Sequence, residues 1–190
     1  MDRRMLHNRE AIIDALRALG EHPEVAGMAQ TTVVLAGRAA ALLTNHAPGL
    51  AATQDCDVVA WPAGFSNSGR IEQCAQSIAG KLGLSPGWFN SDCYQSARWK
   101  LPADFQDRWE HVGRFGPMDI YCISRLDFIA MKFLATRDRD MADLRQLNPT
   151  AEERAWFEKR LDEIEAQYPR EKFTIAIARA RLKDLNESDV

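Results

Sequence analysis

In the stretch Thr53-Gln-Asp-Cys-Asp-Val-Val-Ala60, two aspartates stand one residue apart at the mouth of an otherwise apolar run. Side chains of an extended chain alternate, so Asp55 and Asp57 face the same side with Cα atoms roughly 6.5 Å apart. Two like charges held that close are unfavourable unless water, a cation or protonation relieves them. A divalent metal bound through carboxylate oxygens is the functional solution. A solvated strand end is the structural one.

Other chemistry-bearing residues are more scattered. Lys132 sits among Phe128, Ile129, Met131, Phe133 and Leu134, so its ammonium must snorkel outward or find an anionic partner. Asp140 and Asp143 follow on the next helical pattern, where Arg139 and Asp143 form an i, i+4 pair that explains them as surface salt bridges. Trp88, Trp99 and Trp109 fall near Arg98, Lys100, Arg108, His111 and Arg114. That mixture suits stacking on bases and pairing with phosphates, or else the tryptophans are core anchors. Arg170, Lys172, Arg179, Arg181 and Lys183 can line a nucleic-acid face or form the wet side of a helix. The four histidines are dispersed, the four cysteines form no Cys-x-x-Cys pair, and no Gly-x-Ser-x-Gly is present. Zinc sites of the finger type and serine-hydrolase chemistry therefore find no local support.

The elements that must position these residues are read from periodicity and breakers. Residues 8–19 carry Ile12, Leu16 and Leu19 at helical spacing. Residues 31–36 form a β-branched run expected to be a buried strand, Gly37 turns the chain, and the alanine-rich residues 38–43 read as a short helix. A loop over residues 44–52 feeds a strand expected over residues 54–61. Ser66 or Ser68 is expected to cap a helix bearing Ile71, Ala75, Ile78 and Leu82, closed by Gly83. A short strand is expected over residues 88–92, residues 93–115 read as irregular, and residues 118–123 alternate as a strand. Ser124 opens a helix to about Thr136, a second helix covers residues 138–147, and Asn148-Pro149 stops it. Thr150-Ala-Glu-Glu153 is a capping pattern for a helix with Phe157, Leu161 and Ile164 on one stripe, and residues 173–185 read as a final helix.

With 190 residues, 46% of them hydrophobic, the chain can bury one sizeable core. A net charge of -3 argues against a surface built wholly to coat nucleic acid, so any such contact is local. No apolar run approaches the roughly 18 residues of a membrane helix. No leader-like segment follows the first residues, so the expectation is a cytoplasmic protein with no membrane partner.

Strand, glycine turn, helix and an Asp-x-Asp strand together resemble the nucleotidyltransferase fold of the DNA polymerase beta superfamily, and more narrowly its minimal bacterial members related to the AbiEii-type toxins. The resemblance rests on Leu35-Ala-Gly-Arg-Ala-Ala-Ala41, on residues 52–59, on Ser124-Arg-Leu-Asp-Phe-Ile-Ala-Met-Lys-Phe-Leu-Ala135 and on Arg137-Asp-Arg-Asp-Met-Ala-Asp-Leu144, and it spans residues 33–147. It implies an α/β (α+β) mixed sheet flanked by helices over residues 1–147, with a C-terminal helical extension over residues 148–190. It implies transfer of a nucleoside monophosphate from a nucleoside triphosphate to a hydroxyl of RNA (tRNA) or protein, as a toxin with a cognate antitoxin or a phage-defence component.

By the same resemblance, Ala36, Gly37 and Arg38 receive the triphosphate, while Asp55 and Asp57 hold Mg2+ or Mn2+. A third carboxylate usually completes such a site. Asp119 is the first choice, because its strand could lie beside the Asp-x-Asp strand, and Asp92 is the second. Lys132 is implied to contact a phosphate or a site carboxylate. The chain departs from the family turn in placing Ala36 where a first glycine is usual, and the usual arginine is absent at Ala51 and Ala52. The alternative reading is a catalytically inactive descendant of the same fold that binds a partner in the manner of an antitoxin.

Overall fold

The computed structural model describes residues 5–47, 49–50, 52–61, 67–135 and 137–188, without the side chains of Arg98 and Ser188. Ser66 as a cap and Thr136 as a helix end lie outside the described residues. Contacts between Cα atoms divide the chain into two units, Met1–Gln95 with Gln106–Ile123, and Ser96–Phe105 with Ser124–Val190.

The first unit is built on a mixed sheet of five strands, β1 (Thr31–Ala36), β2 (Cys56–Ala60), β3 (Phe89–Asn90), β4 (Glu110–Phe115) and β5 (Met118–Cys122), in the order β3-β2-β1-β5-β4. β1 pairs parallel with β5 and antiparallel with β2, β2 pairs parallel with β3, and β4 and β5 form a hairpin. Gly116 opens the hairpin turn at φ +57, the left-handed conformation that tight hairpin turns demand. The register sorts the side chains. Val33, Leu35, Cys56, Val58, Phe89, Met118, Ile120 and Cys122 share one face and join the hydrophobic core. That core is completed by α1 (Arg9–Gly20), α3 (Gly37–Thr44) and α4 (Ser68–Leu82). Asp57, Asn90, His111, Arg114, Asp119 and Tyr121 are in register on the opposite face.

Local chemistry explains the boundaries. Asn8 caps α1 by accepting the Ala11 N–H at 2.9 Å. α3 packs closely because Ala39, Ala40 and Ala41 are all buried, and it ends at Asn45 in the left-handed conformation. α4 starts at Ser68 with Asn67 in the capping position and no side-chain cap bond, so Ser68 opens the helix rather than capping it. A register shift against β1 leaves both Val58 and Val59 buried, which accounts for the unbroken apolar run after Asp57. Trp88 is fully buried and donates its Nε1–H to the Ala75 carbonyl at 3.0 Å, so it is a core anchor. Among the described residues, α2 (Pro23–Ala26) joins α1 to β1.

The second unit contains α5 (Tyr94–Lys100) from Ser96 onward, with α6 (Arg125–Leu134), α7 (Asp138–Leu147), α8 (Ala151–Gln167) and α9 (Lys172–Ser188). Thr150 and Glu153 form a complete reciprocal capping box at the start of α8. Phe133 and Phe157 stack at 4.4 Å between α6 and α8. Arg179 on α9 reaches Asp162 at 2.7 Å and Glu165 at 2.9 Å, and Arg181 donates to the carbonyls of Ala135 and Arg137. No described helix is long and apolar enough to cross a membrane.

Candidate active site

The end of β1 leads straight into α3, and the junction is where the candidate site lies. Ala36 is extended, at φ -130 and ψ -165, a conformation open to any residue. Gly37 takes φ +68, which side-chain-bearing residues rarely adopt. The glycine that the turn requires is therefore the one this chain keeps, and the alanine stands where none is needed.

Asp57 is the cross-strand partner of Ala36. A Cβ built on Gly37 would lie 2.7 Å from Asp57 Oδ2, closer than real Cβ atoms come. The carboxylate thus rests against the bare Cα of the turn, at the N-terminal and electropositive end of α3. Asp55 precedes β2, half-buried, with the Thr53 hydroxyl 3.1 Å from its Oδ1. Between the two aspartates, Cys56 is fully buried. Burial pushes its thiol well up, and the carboxylate of Asp57, the nearby Cys122 and the carboxylate of Asp55 add to the rise. Both acids therefore act on one buried sulfur, which stays a neutral thiol and is no nucleophile.

Asp119, the expected third carboxylate, lies elsewhere on the sheet. β5 lies beside β1 and β4, not beside the Asp-x-Asp strand as anticipated for Asp119. Asp119 is in register with Thr32, whereas Asp57 is in register with Ala36, a separation of about 13 Å along the strand direction. Its oxygens are taken by His111 Nε2 at 2.7 Å and Arg114 Nη2 at 3.5 Å. On the side away from Ala36, Asp57 is in register with Asn90 on β3. Asn90 donates to the Gly87 carbonyl at 3.0 Å and accepts the N–H of Asp92 at 3.0 Å, which leaves Asp92 exposed just past the strand end.

In the second unit, Lys132 Nζ lies 2.8 Å from Asp140 Oδ1 and 2.6 Å from Asp143 Oδ2. Arg137 Nε adds a 2.8 Å bond to Asp140 Oδ2. Asp140 and Asp143 are buried rather than on the helix surface, and with the buried Lys132 they form an interior network that the exposed Arg137 closes at its edge. Burial raises the Asp140 carboxyl, but bonds from Arg137 and Lys132 outweigh it and hold the group below its ordinary value.

Two hard carboxylates suit Mg2+ or Mn2+, and Mg2+ is commonly held by one or two carboxylates with substrate phosphates and water filling the remaining positions. Among the described residues no three His, Cys, Asp or Glu side chains converge into a metal-holding group. Sequence reasoning missed Thr53 and Asn90. A threonine two residues before an aspartate is a recognisable local hydrogen-bonding pattern, but the Asn90 neighbour follows only from strand order.

No curated protein and no solved structure matches the chain. Residues 13–152 match the model of a family described as a nucleotidyltransferase of unknown function, DUF6036, and the match takes in the glycine turn, both aspartates and the charged network. With well over half of its residues inside that match, the chain belongs to the DUF6036 family of nucleotidyltransferases.

Proposed function

We propose that the protein is a metal-dependent enzyme that moves a nucleoside monophosphate from a nucleoside triphosphate to a hydroxyl of RNA (tRNA) or of a protein, and releases pyrophosphate. The observation that carries this reading is the left-handed Gly37 with the Asp57 carboxylate packed on its Cα. A turn without a Cβ lets phosphate oxygens approach the backbone at a helix N-terminus, where negative charge is favoured. Ala36 and Arg38 flank that turn, and the Arg38 guanidinium is the cation within the turn itself.

Asp55 and Asp57 would hold Mg2+ or Mn2+. Bound there, the metal supplies charge neutralisation of the triphosphate and polarises the phosphoryl oxygens. The remaining work falls to the chain: β1 and β2 fix Asp57 against the turn, Thr53 orients Asp55, and the buried Cys56 keeps a neutral, dry floor beneath the two acids. The scheme assigns no step to Asp119 or Lys132, whose charges are engaged by His111 and Arg114 and by Asp140 and Asp143. Likeness to the AbiEii-type toxins supports a cytoplasmic toxin-antitoxin or phage-defence role with a cognate antitoxin as partner.

The inactive-module alternative draws its best support from the altered turn; the extended backbone of Ala36, open to any residue, weakens that support, while the absence of the usual arginine at Ala51 and Ala52 still counts for it. The deciding experiment incubates the protein with each α-labelled nucleoside triphosphate, Mg2+ or Mn2+, and either total RNA or total protein. Metal-dependent label on one acceptor class, lost in Asp57→Asn, is expected. Absence of transfer under every combination, with a protein partner captured equally by wild type and Asp57→Asn, would establish the module instead.

A further inference from the structure

The loop before β2 is tied down by a segment that lies outside the family match. Leu6 and Thr53 form an isolated antiparallel bridge in which each backbone N–H donates to the other's carbonyl, at 2.8 and 3.1 Å. Leu6 is almost fully buried in the core of the first unit, so the bridge is anchored by its side chain as well. Three residues on, Arg9 Nε donates to the Leu43 carbonyl at 3.0 Å, in the last turn of α3, the helix that Gly37 opens. The segment over residues 6–9 therefore reaches both the approach to Asp55 and the far end of the glycine-turn helix.

Thr53 itself is a buried polar residue, 5% exposed. Its Oγ1 lies 3.1 Å from Asp55 Oδ1 and 3.1 Å from the Asp55 carbonyl oxygen. One hydroxyl has one proton to give, and the bond to an ionised carboxylate is the stronger of the two. Because the bridge fixes the Thr53 backbone and β-branching stiffens its χ1, the hydroxyl is held in place before any ligand arrives. A hydroxyl bound to Oδ1 leaves Oδ2 as the oxygen available to a cation. Without it, Asp55, which stands outside the regular strand, keeps only its own torsions to set its direction.

Resting on the proposed metal-dependent activity, we infer that Thr53 is the positioning residue of Asp55, and that the Leu6 bridge is the strap that sets Thr53. Groups that orient metal ligands are commonly worth about 10–100-fold in metal affinity or activity when removed. The test uses full-length protein with Mn2+ alone as the probe, its binding read by electron paramagnetic resonance, alongside transfer assays over a range of Mn2+ concentrations. Thr53→Val keeps the shape and β-branching but removes the hydroxyl, while Thr53→Ser keeps the hydroxyl.

The expected result is about a tenfold or greater weakening of Mn2+ binding in Thr53→Val, a matching rise in the Mn2+ needed for half-maximal transfer, and recovery to near wild type in Thr53→Ser. Circular dichroism on both variants separates this from unfolding, and an unfolded Thr53→Val is replaced by Thr53→Ala with the same expectation. Wild-type Mn2+ affinity in a folded Thr53→Val, or a Thr53→Ser as weak as Thr53→Val, overturns the positioning role and leaves the enzyme reading standing. Wild type that neither binds Mn2+ nor transfers label overturns the enzyme reading, and the inference falls with it.

Discussion

Replacing Gly37 by alanine separates backbone strain from contact with Asp57. At φ +68 the new Cβ costs about 1–2 kcal/mol in left-handed strain, independent of its surroundings. It would also stand 2.7 Å from Asp57 Oδ2, and ordinary contact begins at 3.4 Å, so the carboxylate must withdraw by 0.7 Å. Pushing a short side chain off its rotamer by that much costs about 0.5–1.5 kcal/mol more. Urea denaturation of wild type, Gly37→Ala, Asp57→Ala and the double variant forms a cycle that isolates the second quantity. Gly37→Ala is expected to cost more in the wild-type background than with Asp57 already truncated, by about 0.5–1.5 kcal/mol. Transfer activity should fall by about 100-fold, since displacements approaching 1 Å at a reacting centre have that effect. Equal destabilisation in both backgrounds, together with retained activity, would refute the idea that the turn and the acid are built against each other.

Replacing Lys132 by methionine removes the ammonium that bridges Asp140 and Asp143, and loss of one partner from a buried ion pair typically costs about 3–5 kcal/mol. Urea denaturation monitored by circular dichroism should show that loss, and a change below about 1 kcal/mol would mean that the network is not what holds α6 to α7. The Asp140 carboxyl is depressed in the folded state, so the unfolded chain binds its proton more readily. Its contribution to stability is complete above the ordinary carboxylate value near 3.9, and is lost as the pH falls from there toward the lower folded value. Acid unfolding followed by fluorescence should therefore begin at higher pH in Asp140→Asn, and an unchanged acid midpoint would remove Asp140 from the account.

The sequence revealed those parts of the molecule whose causes are local. The β-branched run of residues 31–36, the Asn148-Pro149 stop after Leu147 and the Thr150 capping box each appear where their chemistry put them. β4 was invisible because Glu110-His-Val-Gly-Arg-Phe115 is a half-exposed edge strand with an irregular register, and only Phe115 is buried. α5 is a single short helix in a stretch whose aromatics show no clean stripe. For the site, alternation placed Asp57 opposite the buried Cys56 but could not give strand order, so Asp119 was assigned to a neighbour that it does not have. Lys132 finds Asp140 and Asp143 across two helices, a non-local pairing that an i, i+4 rule does not reach. The conformation of Ala36, which decides how much its substitution for glycine matters, depends on β1 continuing extended to its last residue.

The most direct test of the central claim is a crystal of the full chain soaked with Mn2+ and a non-hydrolysable nucleoside triphosphate, with data collected to locate the metal by anomalous scattering. The expected result is a manganese peak on the carboxylates of Asp55 and Asp57, with the triphosphate against the N-terminus of α3 at Gly37. A peak elsewhere at saturating metal, or a nucleotide bound away from that turn, would contradict it.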